Sequence, residues 1–138
     1  VMWDGIDGHR CRQLGWIAMS WDEPDIRFTH LRPMGSSQQN IITGRIRHGF
    51  GQYFMGTGVL YMLVSSLYRM TRPPLVIGGL AMMWGYIKSG LTGVPRFEDK
   101  TLSAFIRRYQ WACLLKGKKK ATTQLNDKQA NVWLDGRS

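Results

Sequence analysis

The sequence predicts a mainly α-helical chain with a short β portion. Three observations lead there. Two strongly apolar runs, each of helical length, occupy the middle of the chain, "VLYMLVSSLY" at Val59–Tyr68 and "LVIGGLAMMWGYI" at Leu75–Ile87. A third stretch, Glu98–Leu115, repeats apolar residues at helical spacing through Leu102, Phe105, Ile106, Tyr109 and Cys113. Two short β-prone segments, "WIAMSW" at Trp16–Trp21 and "IRFTHL" at Ile26–Leu31, flank the turn "DEPD" at Asp22–Asp25.

Taken in order, the first element is a helix over 5–14. Asp4 or Asp7 near its start suits the helix dipole and can cap free N–H groups, and Gly15 suits its end. The two short strands follow, then the loop "RPMGSS" from Arg32. A further helix starts near Ser37, with Ile42, Ile46 and Phe50 at steps of four on one face. Arg69–Pro74 carries two prolines and separates the apolar runs. After the helix of 98–115, "KGKKK" and the polar remainder read as a solvated tail. Three regions result: 1–36, 37–115 and 116–138.

Composition narrows the function. The chain has 138 residues, 43% of them hydrophobic, and a net charge of +10 from 19 Lys and Arg against 9 Asp and Glu. That content is too apolar for a disordered chain and suits one modest domain. The basic excess fits nucleic acid, an anionic membrane surface or a phosphate-bearing substrate. Nucleic acid is the weakest of these, because no zinc-finger spacing, P-loop or aromatic nucleic-acid motif accompanies the lysine run at 116–120. Cys11 and Cys113 are far apart and outside any CxxC spacing, which favours a reducing compartment.

Both apolar runs fall short of the roughly 20 residues that a spanning helix needs. Arg45 and Arg47 precede the first, Arg69 and Arg72 lie between them, and Lys88 follows the second. Cations at every end fit helices lying at one interface better than a spanning hairpin. The alternative is that both runs are core, and Trp84 with Met82 and Met83 reads as core first.

The candidate chemistry lies nearer the N-terminus. A carboxylate at a helix start, Asp4 or Asp7, can act as a general base or merely cap the helix. His30 and Arg32 can meet a metal or phosphate oxygens, and Gly35, Ser36 and Ser37 offer backbone N–H groups for an anion. Each of these is weak alone.

Together the segments resemble a known family. "WDGIDGHRCRQLGW" resembles the acidic motif of glycosyltransferase family 2, E-D-x-D-L-x-x-R-L-x-x-x-G-[WY]. Counted back from Gly15-Trp16, the catalytic aspartate falls on Asp4 and the motif arginine on Arg10. The glutamate falls on Trp3 and the second aspartate on Ile6, with Asp7 one place later. "FTHLRPMGSS" resembles the His-x-Arg-Pro-x-Gly-Ser loop of a bacterial branch tied to exopolysaccharide and cell-surface glycan assembly. Residues 51–86 are similar to that branch's membrane-associated helices.

The resemblance implies that residues 1–36 are the C-terminal remnant of a GT-A α/β catalytic domain, followed by membrane-associated helices. It implies an inverting enzyme that moves a sugar from a nucleoside-diphosphate sugar to a hydroxyl of a glycan or lipid-linked acceptor. Asp4 would be the base. Arg32, Gly35 and Ser36 would hold the donor phosphates, His30 would assist a divalent metal (Mg or Mn), and Arg10 and Trp16 would lie in the acceptor region. The main metal ligands of the family, a D-x-D, do not occur in these residues. Val1 is not an initiator methionine, so the expectation is that the donor-binding half lies upstream and that these residues alone are inactive. The implied location is the cytoplasmic face of the bacterial inner membrane. The competing reading is a small basic membrane-interaction protein without catalysis.

Overall fold

The computed structural model describes residues 2–19, 23–26 and 40–135. Among the described residues six α-helices carry the fold: α1 Trp3–Gln13, α2 Ile41–Phe54, α3 Val59–Met70, α4 Leu75–Leu91, α5 Lys100–Lys116 and α6 Lys118–Asp135, with a 3-10 turn at Pro24–Ile26. They belong to two compact units. One comprises 1–20 with 98–138, the other 21–97.

The mainly α expectation holds, and the described residues contain no strand. Residues 16–19 of the first expected strand are irregular, and Ile26 of the second belongs to the 3-10 turn; the rest of both segments lies outside the described residues. The first strand gives way to side-chain anchoring. Arg12 Nη2 donates to the Ala18 carbonyl at 3.1 Å, and the Trp16 ring meets the Trp133 ring at 5.1 Å.

In the first unit, α1 starts at Met2, whose backbone is left-handed and whose side chain caps nothing, so neither aspartate is the cap. The helix ends as expected. Gly15 takes φ +90, and Trp16 N–H reaches back to the Cys11 carbonyl at 2.9 Å, which satisfies a terminal acceptor. Asp99 caps α5 by accepting from Leu102 N at 2.9 Å. Leu102 and Ile106 are fully buried, and Ile6, Cys113 and Ala121 complete the core.

The segment expected to be a solvated tail is helix α6. Its apolar stripe is thin, with Ala121, Leu125 and Val132 interrupted by the buried Gln129. The helix seats through Ala121 and Gln129, through a 2.6 Å bond between the Tyr109 and Thr122 hydroxyls, and through Trp133 Nε1 donating to the Gly15 carbonyl at 3.0 Å.

The second unit packs α4 against α2 and α3. Here the buried surface of α2 is glycine, Gly49 and Gly51, and not the stripe of Ile42, Ile46 and Phe50, of which Ile42 is exposed. A Cβ on Gly49 would meet the Met82 carbonyl at 1.9 Å, and one on Gly85 the Ile46 carbonyl at 2.0 Å. A Cβ on Gly79 would meet the Ser66 carbonyl at 2.4 Å. Small residues therefore let the backbones touch. Met62, Met82 and Tyr86 form the core, and the Tyr86 hydroxyl donates to the Thr57 carbonyl at 2.7 Å.

Beyond Met62, Met82 and Tyr86, close backbone contact leaves many large side chains of α3 and α4 outside. Leu60, Leu63, Leu67, Leu75, Ile77 and Leu80 are among the exposed apolar residues, and Trp84, expected in the core, is 55% exposed. No helix among the described residues is long and apolar enough to cross a membrane.

Candidate functional site

Helix α1 displays the acidic residues. Asp4 lies in its first turn and Asp7 one turn later, both exposed. A solvated carboxylate on a helix terminus can accept a proton from any hydroxyl brought within hydrogen-bond reach.

Arg10, two turns further on, is committed elsewhere. Its Nη2 meets Asp99 Oδ2 at 2.9 Å, tying α1 to the start of α5. Asp99 is held below the usual carboxylate range, chiefly by the Thr101 hydroxyl and then by the Leu102 amide, with Arg10 adding attraction.

Trp16 sits at the opposite end of α1 from Asp4. At 1.5 Å per residue the helix separates Asp4 from Gly15 by about 16 Å. Asp4 and Arg10 thus lie on α1 and Trp16 beyond its end, and Asp4 and Trp16 do not converge. His30, Arg32, Gly35 and Ser36 lie outside the described residues.

The Trp16 end carries a feature that sequence reasoning missed. A cavity of about 430 Å³ opens there in the first unit, lined by Arg12, Gly15, Phe105, Gln129 and Trp133 among others. Gln129 is buried, and its Nε2 donates to the Arg12 carbonyl at 2.5 Å. Its Oε1 has no partner. The signal in α6 was the spacing of Leu125, Val132 and Trp133, diluted by the polar residues around them.

His9, also on α1, faces inward. Its ring meets Tyr109 edge-on at 5.7 Å. Burial, with Arg12 and then Lys118 nearby, lowers its pKa to about 4, so the ring is neutral near neutrality. Among the described residues no three His, Cys, Asp or Glu side chains converge as a metal site would need. No metal-borne step is therefore assigned to them.

The second unit carries a different kind of surface. From Asn40 to Phe97 there is no acidic residue, while Arg45, Arg47, Arg69, Arg72, Lys88 and Arg96 supply positive charge. Arg96 lies over the Tyr53 ring at 4.7 Å, and Arg72 lies over Tyr68 while donating to its hydroxyl at 3.0 Å. Of these cations, Arg69 and Lys88 lie on α3 and α4 and Arg72 follows α3, the two helices that carry many of the exposed apolar residues.

Compared with known proteins, the chain matches no family model, no curated protein and no solved structure.

Proposed function

We propose that these residues serve inverting glycosyl transfer at an anionic membrane surface, as part of a family 2 glycosyltransferase. Asp4 takes the proton from the acceptor hydroxyl as that oxygen attacks the anomeric carbon and a nucleoside diphosphate leaves. The observation that carries this reading is α1 itself. It presents Asp4 exposed in its first turn and ends at Gly15 with positive φ ahead of Trp16, in the order that the family motif requires. A carboxylate that is solvated and unshared can turn toward an incoming hydroxyl, whereas Asp7, one place out of register, has no assigned part.

Arg10 then acts by fixing α1 on α5 through Asp99. The Trp16–Trp133 pair and the adjoining cavity contact an extended acceptor away from the reacting hydroxyl. Donor binding is assigned to His30, Arg32, Gly35 and Ser36 together with a D-x-D and a divalent cation supplied from outside these residues. The proposed location is the cytoplasmic face of the bacterial inner membrane, the exposed α3 and α4 faces lying in the interface.

The test is nucleoside diphosphate release from a panel of sugar nucleotides by membranes that hold the protein in its natural length, with glycan and lipid-linked acceptors. Release that depends on acceptor supports the reading, and its absence across the panel removes it. A second reading, membrane binding without catalysis, is favoured by the acid-free, apolar stretch from Asn40 to Phe97 in the second unit. Vesicle binding with no release under any condition would select it.

A further inference from the structure

The outward side of α5 is not the polar face that water alone would select. On the helical repeat, Lys100, Ala104, Arg107, Arg108, Trp111 and Leu115 fall within an arc of about 100°. The buried Leu102, Ile106 and Cys113 lie on the opposite side. All six outward residues are exposed. Trp111 and Leu115, one turn apart near the end of the helix, are 54% and 78% exposed. The helix therefore carries apolar side chains on two sides, and only one of them meets the core of the first unit.

Positive charge gathers around the same two residues. Between Lys100 and Asn126 there are seven cations and no acidic residue. Helix α5 ends at Lys116, Gly117 turns the chain with φ +82, and α6 opens with Lys118, Lys119 and Lys120. All four lysines are exposed. A helix start favours acids, because its free N–H groups already carry partial positive charge, so three lysines there raise the local potential instead of cancelling it. The carboxylates of the first unit do not offset them. Asp99 pairs with Arg10, and among the described residues Arg107, Arg108 and the three lysines of α6 form no ion pair. Lys116 donates to Gln124 Oε1 at 2.9 Å, a neutral acceptor that leaves its charge intact.

We propose that the elbow between α5 and α6 is an attachment surface for an anionic lipid bilayer. Trp111 and Leu115 enter the headgroup region, and the arginines and lysines around them meet the anionic headgroups. Charge complementarity selects an anionic partner, and the apolar pair selects lipid over nucleic acid. A tryptophan suits either, at the bilayer interface or by base stacking, but a leucine exposed to 78% has no planar face to stack and gains only from apolar surroundings. Long lysine and arginine stems add to this, since they lie along apolar surface while their charged ends reach the headgroups. The inference rests on the membrane part of the proposed function, adds a contact in the first unit, and is independent of Asp4.

The experiment uses the 138-residue chain with Cys11→Ser, in which the remaining Cys113 is buried, and one added cysteine that carries an environment-sensitive fluorophore. Leu115→Cys reports the elbow, and Leu80→Cys reports the exposed side of α4. Circular dichroism checks the folding of each variant. Vesicles of phosphatidylcholine with phosphatidylglycerol should shift the label at 115 to the blue and shield it from iodide, and pure phosphatidylcholine should need at least about tenfold more lipid to do so. Each interfacial lysine is worth about fivefold in affinity, so Lys118→Gln, Lys119→Gln and Lys120→Gln combined should raise the lipid needed for half the shift at 115 by about 100-fold. Trp111→Ser should raise it by about tenfold, although charge is unchanged. A shift at 80 without one at 115 overturns this inference and leaves the membrane part of the proposed function standing, whereas no shift at either position overturns both. Equal lipid needs for the two vesicles, or an undiminished shift in the lysine variant, overturns the anionic partner. An undiminished shift in Trp111→Ser overturns insertion of the apolar pair. A label at 115 that responds to a uridine oligonucleotide and not to vesicles overturns the lipid partner in favour of nucleic acid.

Discussion

At the scale of single residues, His9 shows how an inward-facing group limits the chain. Its folded pKa lies at about 4, below the ordinary 6.5. Between those values the unfolded chain binds a proton that the folded chain refuses, so stability falls as pH drops from 6.5 toward 4 and then levels off. The full difference corresponds to a loss of up to about 3 kcal/mol. His9→Leu should flatten that part of the profile, and amide exchange on α5 measured across this pH range checks it. An unchanged profile in His9→Leu would remove His9 from the account. Asp4 is the opposite case, an exposed group whose loss should leave stability nearly unchanged, within about 0.5 kcal/mol.

At the scale of elements, the glycines decide the second unit. Gly85→Ala would drive a Cβ to 2.0 Å from the Ile46 carbonyl, and Gly49→Ala one to 1.9 Å from that of Met82. Neither neighbour is a flexible side-chain tip, so each substitution should cost more than about 3 kcal/mol or unfold the unit. Gly90→Ala meets only the Tyr53 ring at 3.4 Å and should be neutral or stabilising by about 0.5 kcal/mol. Thermal unfolding of the three variants separates these outcomes.

The same elements show what the sequence could and could not reveal. Helices α3 and α4 were legible because their apolar runs are long, and the end of α1 because Gly15 meets a positive-φ requirement. The buried side of α2 was not, since a hydrophobic period points to Ile42 and Phe50 while the contact is made by glycine backbone. Helix α6 was hidden because two small or polar residues, Ala121 and Gln129, seat it. Trp84 was misplaced for a related reason: on α4 the glycines with Met82 and Tyr86 make the buried side, and Trp84 lies on the exposed one. Of the candidate site, motif order offered Asp4, which lies exposed in the first turn of α1, whereas the pairing of Arg10 with Asp99 and the cavity beside Trp133 depend on α5 and α6, far away in sequence.

At the scale of the whole molecule, the proposed function needs both units, Asp4 on α1 as the base and the cationic, apolar second unit at a lipid interface. The second unit predicts flotation of the chain with anionic vesicles, with the Arg69–Pro74 turn open to protease from the binding side. Protection of that turn would instead mean that it had crossed the bilayer. The central claim concerns Asp4, and a paired substitution tests it most directly. Turnover and donor affinity are measured for Asp4→Asn and Asp7→Asn in the natural-length protein on membranes. Asp4→Asn keeps the shape and removes the basicity, so turnover should fall by about 10²–10⁴ with donor affinity nearly intact. Asp7→Asn should stay within a few-fold of the wild type. Wild-type turnover in Asp4→Asn together with its loss in Asp7→Asn would contradict the account and move the base one turn along α1.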